Sequence, residues 1–330
     1  MPATYPLPAN LLSSYDIGGF GYSTNVSSQL NHEDLTDVLT ILDSVQTPFF
    51  SGAPKIRARD RVHSWPVQAL SAPASAGAPV GVDFNADSLT VPVRLLNGTQ
   101  IFRRDVVVDD GERAANPAGI ADMYDHQVTL QFKNLSRNFE YTAMRNSSTA
   151  SATGLESSAQ SAAPLMAGIR GFGITTAASA SSITASIVTL TQIMFNEGAE
   201  PDSIWFAPSR KVGFVQETLG TAINVRNIAA SDQRLVANID IFETPLSQVL
   251  AVVADRFIPM GTASASGYAD LVGDRSMAKV AFFRPPAHVE MGKNGDHTRG
   301  IVRFEATLEM THPSSWGAIT AVTGASSLVT

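Results

Sequence analysis

The chain contains no cysteine, and only 16% of its 330 residues are charged. Without thiols there is no disulfide, no thiolate metal site and no cysteine nucleophile. A protein that functions as a free monomer generally carries more surface charge, so this composition favours a surface partly buried between subunits. A moderately hydrophobic globular protein is the alternative that composition leaves open.

Basic residues and long apolar runs are also scarce. The 23 Lys and Arg residues are outnumbered by 30 Asp and Glu residues, which gives a formal net charge of -7. Affinity for a phosphate backbone depends on clustered Lys and Arg, so we expect DNA to be enclosed at most, without specific binding. No run of about 18 apolar residues is present, and residues 1–6 lack the pattern of a signal peptide. We expect a cytoplasmic protein that does not enter a membrane.

The histidines offer no pattern for catalysis or metal binding. None of the six forms a pair at the spacing H-E-x-x-H. Ser276 and Lys279 match a serine–lysine spacing without its companion motifs, and Asp296 and His297 are adjacent residues, which rarely face each other. We therefore predict no catalytic, cofactor-binding or metal-binding residue. A soluble hydrolase-like enzyme that uses Ser276, Asp296 or His297 is the alternative.

The most regular stretch lies between residues 99 and 146. Thr99–Val108 is rich in apolar and β-branched residues and predicts a strand, followed by a turn at Asp109–Gly111. Asn116 and Pro117 are typical of a helix start, and the helix is predicted over about 117–146, roughly 40 Å long. One apolar face is formed by Ile120, Tyr124, Val128, Phe132, Leu135 and Phe139.

Other elements follow from shorter patterns. Arg61–Val67 and Leu89–Leu95 predict the two strands of a long hairpin, and Ser147–Ala163 is typical of a linker. Before Thr47, we expect an extended arm and a short helix from about residue 31. Helices are predicted at 183–197 and from Pro208, and strands at 203–207, 236–242, 249–253, 279–283 and 302–309.

Nine short motifs along the chain indicate a resemblance to a known protein family. The motifs are Thr47–Phe50, His63–Trp65, Asn97–Phe102, Arg137–Tyr141, Gly198–Asp202, Phe242–Pro245, Gly292–Asp296, Glu305–Glu309 and Trp316–Gly317. In these residues the chain resembles the tailed-bacteriophage major capsid (major head) proteins, which share the Hong-Kong-97-type fold. The resemblance covers most of the chain.

The resemblance implies an α+β fold with four parts. They are an N-terminal arm with a short helix (1–50), an extended loop (51–97), a peripheral domain (98–150 and about 300–322) that contains the long spine helix (about 117–146), and an axial domain (151–299). In the resembled family, the extended loop reaches over an adjacent subunit.

The resemblance also implies a structural function. The chain is expected to form hexamers and pentamers of an icosahedral shell that encloses double-stranded DNA, with portal, scaffold or decoration proteins as further partners. The expected location is the virion, after assembly in the host bacterial cytoplasm, and no cofactor is implied. Besides the hydrolase, the alternative is another phage structural component, such as a decoration or tail protein.

Six residues are predicted to contact neighbouring subunits. Arg57, Arg59 and Arg61 alternate, so a strand would place their guanidinium groups on one side, where they can pair with a neighbour's carboxylates. A solvated edge strand is the alternative for these three. Arg103 and Arg104 carry the same two interpretations. Trp65 is large enough to anchor a contact, and a buried core position explains it equally well.

Overall fold

The computed structural model describes residues 45–70, 81, 90–114, 120, 122–146, 165–178, 182–221, 238–258, 269–293 and 295–320. The chain divides into one unit of residues 1–41 and 116–121 and a second of residues 42–115 and 122–330, which contains every helix and strand described here. The predicted arm, the short helix from residue 31 and the linker at 147–163 lie outside the described residues.

The described elements are mixed helices and strands. The helices are α1 (Pro48–Gly52), α2 (Asp110–Ala114), α3 (Met123–Arg145), α4 (Ile183–Asn196) and α5 (Pro208–Thr221). The strands are β1 (Lys55–Arg57), β2 (Val62–Val67), β3 (Val93–Gly98), β4 (Gln100–Asp109), β5 (Thr175–Ala178), β6 (Ser203–Phe206), β7 (Ile241–Glu243), β8 (Val249–Ala254), β9 (Ala269–Gly273), β10 (Ala278–Met291), β11 (His297–Met310) and β12 (Trp316–Thr320).

A four-stranded sheet in the order β1-β10-β11-β4 carries the long helix α3 on one face. β10 and β11 form a long antiparallel hairpin, and β4 pairs antiparallel with β11. Phe139 of α3 packs on Phe102 of β4 and Phe304 of β11, with ring centroids 5.5 and 6.3 Å away. Of the predicted apolar stripe, Tyr124, Leu135 and Phe139 are buried.

Helix α3 begins later than the sequence predicts. Its N-cap is Asp122, whose Oδ1 accepts a hydrogen bond from the Tyr124 backbone N–H at 2.8 Å. The helix has 23 residues and is about 35 Å long at 1.5 Å per residue. Residues 110–114 form the short helix α2 where a turn was predicted, and 115–119 lie outside the described residues.

A six-stranded sheet has the order β5-β12-β9-β6-β8-β7 and packs against α4 and α5. The predicted helices are confirmed: Ser182 caps α4 through the Ala185 N–H, and Pro208 begins α5. Gly198 follows α4 with a φ of 82°, a left-handed conformation that favours glycine. The apolar face of α4 therefore ends where the sequence predicts.

The strands do not divide between the sheets at the predicted domain boundaries. β10 falls in the range predicted as the axial domain, yet it belongs to the four-stranded sheet, and β12 belongs to the six-stranded sheet. The reason is that β10 and β11 form one hairpin, which a boundary at residue 299 would split. The assignment of a peripheral and an axial domain stays a prediction.

The predicted hairpin corresponds to the antiparallel pair of β2 and β3. Val62 lies opposite Gly98 and Val67 opposite Val93. β3 begins four residues later than the predicted start at Leu89, directly after Pro92, which has no N–H to donate to a ladder. We call this pair the β2–β3 arm.

Candidate subunit-contact surfaces

The four-stranded sheet has a second face, opposite α3, which we call the outer face. Strand pairing places side chains of β4, β11 and β10 on it in rows, because residues directly opposite in an antiparallel pair point the same way. The four rows are Ile101, Glu305 and Arg284; Arg103, Arg303 and Ala287; Asp105, Ile301 and Val289; and Val107, Arg299 and Met291.

The outer face combines apolar and basic side chains. Val107 is 62% exposed, and Ile101, Val289 and Met291 are each exposed by 40% or more. Four arginines and two carboxylates belong to the same rows, so the face carries an excess of positive charge in an acidic chain. Exposed apolar groups among charged ones are typical of a protein–protein contact.

Arg103 and Arg104 point to opposite faces of β4. Arg103 is on the outer face, exposed, with Nε 3.3 Å from Oδ1 of Asp105. Its neighbour across the sheet is another arginine, Arg303, and like charges directly opposite are unfavourable unless an anion lies nearby. Arg104 is directed towards α3, where its guanidinium lies 3.3 Å from the side-chain amide of Asn138.

The β2–β3 arm exposes apolar side chains at its open end. Leu70 is 98% exposed, and Val91 and Val93 are also exposed. Between Ser64 and Val93 the only charged residues in the sequence are Asp83 and Asp87. Within the arm itself the exposed Arg94 is basic, and Asp83 and Asp87 belong to the connecting sequence, outside the described residues, whereas the outer face is apolar and basic.

Trp65 belongs to the base of the arm and is only 6% exposed. Its indole N–H donates to the Met310 carbonyl at 2.9 Å, and its ring lies 6.0 Å from that of Phe172. The alternative of a buried core tryptophan therefore describes this residue. It offers little surface to a neighbour and instead fixes the arm to β11.

Arg57, Arg59 and Arg61 are exposed, but they do not alternate along one strand. β1 ends at Arg57, and residues 59–61 form a bend before β2 begins at Val62. The bend is stabilised by Asp60, whose side chain accepts the Arg61 N–H at 2.6 Å. In the described part of the chain, none of the three guanidinium groups forms an ion pair, so all three remain available as contacts.

Polar side chains with little exposure hold the arm in place, and no sequence pattern predicts their pairing. Nε2 of His63 lies 2.6 Å from Oε2 of Glu309, and Lys279 lies 3.4 Å from Oε1. The hydrogen bond from His63 keeps the pKa of Glu309 below its ordinary value, and the charge of Lys279 adds to this effect. His63 and Glu309 are 246 positions apart, and no local pattern reveals such a contact.

The residues of the alternative enzyme do not form a site. Ser276 precedes β10 and His297 begins β11, and these positions are at opposite ends of the hairpin, roughly 40 Å apart at 3.3 Å per residue. Lys279 is paired with Glu309. Among the described residues there is no cluster of His, Asp and Glu that could hold a metal. None of the described helices is long and apolar enough to cross a membrane.

Solved structures similar to this chain define its class. The capsid of cyanophage P-SCSP1u matches with a TM-score of 0.57 and 13% identity, over 97% of this chain and 100% of that chain. Gordonia phage Cozz gives 0.58 and 15%, over 94% and 99%. The cyanophage A-1(L) capsid gives 0.63 and 12%, over 90% and 98%. The chain has the α+β, Hong-Kong-97-type fold of phage capsid proteins.

A family model then identifies the chain more closely. The model described as SU10 major capsid protein matches residues 21–323, so the chain belongs to the SU10 major capsid protein family. It is a structural protein of an icosahedral bacteriophage capsid and thus part of the virion. No curated protein sequence matches significantly.

Proposed function

We propose that copies of this chain assemble into hexamers and pentamers of a closed icosahedral shell around double-stranded DNA, and that the outer face of the four-stranded sheet is a principal contact. The observation that carries this proposal is the outer face itself, where exposed apolar residues surround the paired arginines Arg103 and Arg303. A sheet face of this composition is stabilised when a second surface covers it.

The β2–β3 arm of a neighbouring copy is the surface we propose for this role. Leu70 and Val91 supply exposed apolar side chains, and Asp83 and Asp87 are the only charges between Ser64 and Val93. These two residues belong to the sequence that connects β2 to β3, and their sign is opposite to the excess charge of the outer face, unlike that of Arg94 in β3. Complementary charge fixes the register of an interface, while apolar burial supplies most of its free energy.

The exposed arginines beside the arm extend the proposed contact. Arg57, Arg59 and Arg61 lie between β1 and β2, at the point where the arm leaves the four-stranded sheet. A guanidinium group binds a carboxylate with two parallel hydrogen bonds, so each can pair with an acidic residue of a neighbour. Residues 1–54 contain no Lys or Arg and five acidic residues, which makes the N-terminal segment of another copy a suitable partner.

Other features of the proposal follow from charge and from the family. A chain with a net charge of -7 binds packaged DNA weakly, so the shell encloses the genome without sequence-specific contacts. Portal, scaffold or decoration proteins are the further partners that we propose. Assembly takes place in the host bacterial cytoplasm, and the reaction of assembly needs no cofactor.

Charge reversal on the outer face tests this proposal. The double substitution Arg103→Glu with Arg303→Glu is expected to lower the yield of shells at least tenfold, because it makes the face acidic and repels the arm. Shells are measured by sedimentation and negative-stain microscopy, and circular dichroism reports whether the subunit is folded. The matched control is Arg103→Lys with Arg303→Lys, which keeps both charges and should assemble normally. Normal shells from the glutamate variant would refute the assigned contact.

A further inference from the structure

Two buried carboxyl groups meet where α1, α3 and the six-stranded sheet come together. Glu140 lies on α3 and is fully buried, and Asp255 follows β8 directly and is 1% exposed. Helix α1 is attached to the same group, because the N–H groups of Phe49 and Phe50 donate to Oε1 and Oε2 of Glu140 at 2.7 and 2.6 Å. Glu140 thus binds the first turn of α1 while it contacts Asp255.

The hydrogen bonds at this site require a proton between the two carboxyls. Asp255 Oδ1 accepts the Phe257 N–H at 2.8 Å, whereas Oδ2 is buried and accepts no hydrogen bond from the other described residues. The two side chains are close enough to shift each other's pKa, and a hydrogen bond between them needs a proton because ionised carboxylates are acceptors only. Burial, together with the charge of Asp255, raises the pKa of Glu140 to about 8, and burial also raises that of Asp255.

Three arginines lie close to the pair in the sequence. On α3 the neighbouring charged or titratable residues are Arg137, Tyr141 and Arg145; after β8 it is Arg256; and α1 has none. Arg145 donates to the Phe257 carbonyl at 2.9 Å and lies over the Tyr141 ring. Within the described part of the chain, neither Glu140 nor Asp255 forms an ion pair with Lys or Arg.

We propose that Glu140 and Asp255 share one proton and form a proton-operated joint between α3 and the six-stranded sheet, which closes while the proton is present and opens when alkaline conditions remove it. Loss of the proton to solvent leaves two negative charges in contact in a buried place. The repulsion is relieved when the turn at 255–258 separates from α3 and water enters. The proposal concerns the folded subunit and does not depend on how copies assemble.

The direction of the pH dependence follows from linkage. The folded chain holds the shared proton more tightly than the unfolded chain, in which a glutamate has its ordinary pKa of 4.5. The stabilisation is therefore complete below that value and is lost as the pH rises to about 8. Between about 4.5 and about 8, the equilibrium constant for opening the joint should grow about tenfold per pH unit, and above about 8 it should level off.

Asp255→Asn in the full-length protein tests the proposal. An asparagine keeps an oxygen for the Phe257 N–H, and its amide donates to the Glu140 carboxylate without a proton that titrates. Hydrogen exchange of peptides covering 139–145 and 250–258, corrected for the intrinsic rate, is measured from pH 6.5 to 10. In the unaltered chain, protection should fall about tenfold per unit from pH 6.5 to about 8 and then level off. In Asp255→Asn it should stay constant, and the exposed control Asp240→Asn should behave like the unaltered chain.

Tryptophan fluorescence and infrared spectroscopy give independent readouts. Phe49 lies 6.0 Å from both Trp205 and Trp316, so opening should change indole emission in a Trp65→Phe background. Infrared difference spectra of the unaltered protein should lose a protonated carboxyl band across the same pH range. This measurement decides the matter even if Asp255→Asn does not fold. Absence of that band, or identical pH profiles for the unaltered chain and Asp255→Asn, would overturn the proposal.

Discussion

At the scale of single residues, Asn97 shows how one buried amide connects distant segments. It is fully buried, donates to the Leu308 carbonyl at 2.8 Å and the Ala167 carbonyl at 3.3 Å, and accepts the Ala167 N–H at 3.0 Å. The end of β3 is thereby tied to β11 and to the segment after residue 165. Buried backbone N–H and C=O groups need hydrogen-bond partners, and the Asn97 side chain supplies them for Leu308 and Ala167.

Asn97→Ala should therefore lower the free energy of unfolding by about 2 to 4 kcal/mol, since it leaves backbone groups buried without partners. Urea denaturation of the unassembled full-length chain measures the change. Asn238→Ala is the control, because Asn238 is exposed and its side chain donates to Asp240, and it should cost less than about 0.5 kcal/mol. Equal effects at the two positions would contradict the role of Asn97.

The same scale shows what the sequence could not decide. From the sequence, Trp65 is compatible with an interface or with the core. The hydrogen bond from its indole N–H to the carbonyl of Met310, far away in the sequence, shows that it belongs to the core. Arg103 and Arg104 look alike in sequence, but the pleat of β4 sends one to the outer face and the other towards Asn138. Arg57 and Arg61 lose their predicted common side because a bend separates them.

At the scale of elements, periodicity located the long helix but not its start. Asn116 and Pro117 have the chemistry of a helix start, yet Asp122 is the residue whose side chain caps α3. Asp122 also accepts a hydrogen bond from Arg113 at 3.0 Å. The apolar stripe is predictable because it is local, whereas the choice between two capping sequences depends on how the preceding segment packs.

Asp122→Ala should destabilise the fold by about 1 to 2 kcal/mol, because it removes the cap of α3. Asp125→Ala is the matched control in the first turn of the same helix: it removes a charge near the helix N-terminus but no cap, and should cost about 0.5 kcal/mol. Thermal unfolding followed at 222 nm, a wavelength that reports helix, measures both. A larger effect for Asp125→Ala would show that α3 is capped elsewhere.

The length of β10 is a second element that the sequence under-predicts. A strand was predicted over 279–283, whereas β10 continues to Met291 through Pro285 and Pro286. Its register with β11 shifts on both sides of Arg284, and β1 pairs only with residues 280–282. Beyond Phe282, β10 still pairs with β11 on one edge but no longer with β1 on the other. Prolines in that part of β10 therefore cost no hydrogen bond to β1.

At the scale of the whole molecule, the order of motifs along the chain carried the correct prediction of fold and class. Each motif is short, but their collinear order reflects one fold, and the match to the capsid family over residues 21–323 confirms it. The pairing of β10 with β11 determines which strands belong to which sheet. No local pattern predicts the length of this hairpin. The division of the strands between the two sheets is therefore a feature that local patterns do not predict.

Assembly through the outer face also predicts a dependence on salt. The proposed contact pairs arginines with carboxylates at a surface, and the Debye length falls from about 10 Å at 0.1 M salt to about 3 Å at 1 M. The critical concentration for shell formation, measured by light scattering, should rise with salt in the unaltered chain. In the variant Arg103→Ala with Arg303→Ala, it should be higher at low salt and change less.

The most direct test of the central claim is cryo-electron microscopy of the particles formed by the purified full-length protein. We predict closed shells built from hexamers and pentamers, in which the outer face of one subunit is covered by the β2–β3 arm of a neighbour. A monodisperse monomer at every protein and salt concentration, or shells whose Arg103 and Arg303 face open solvent, would contradict the account.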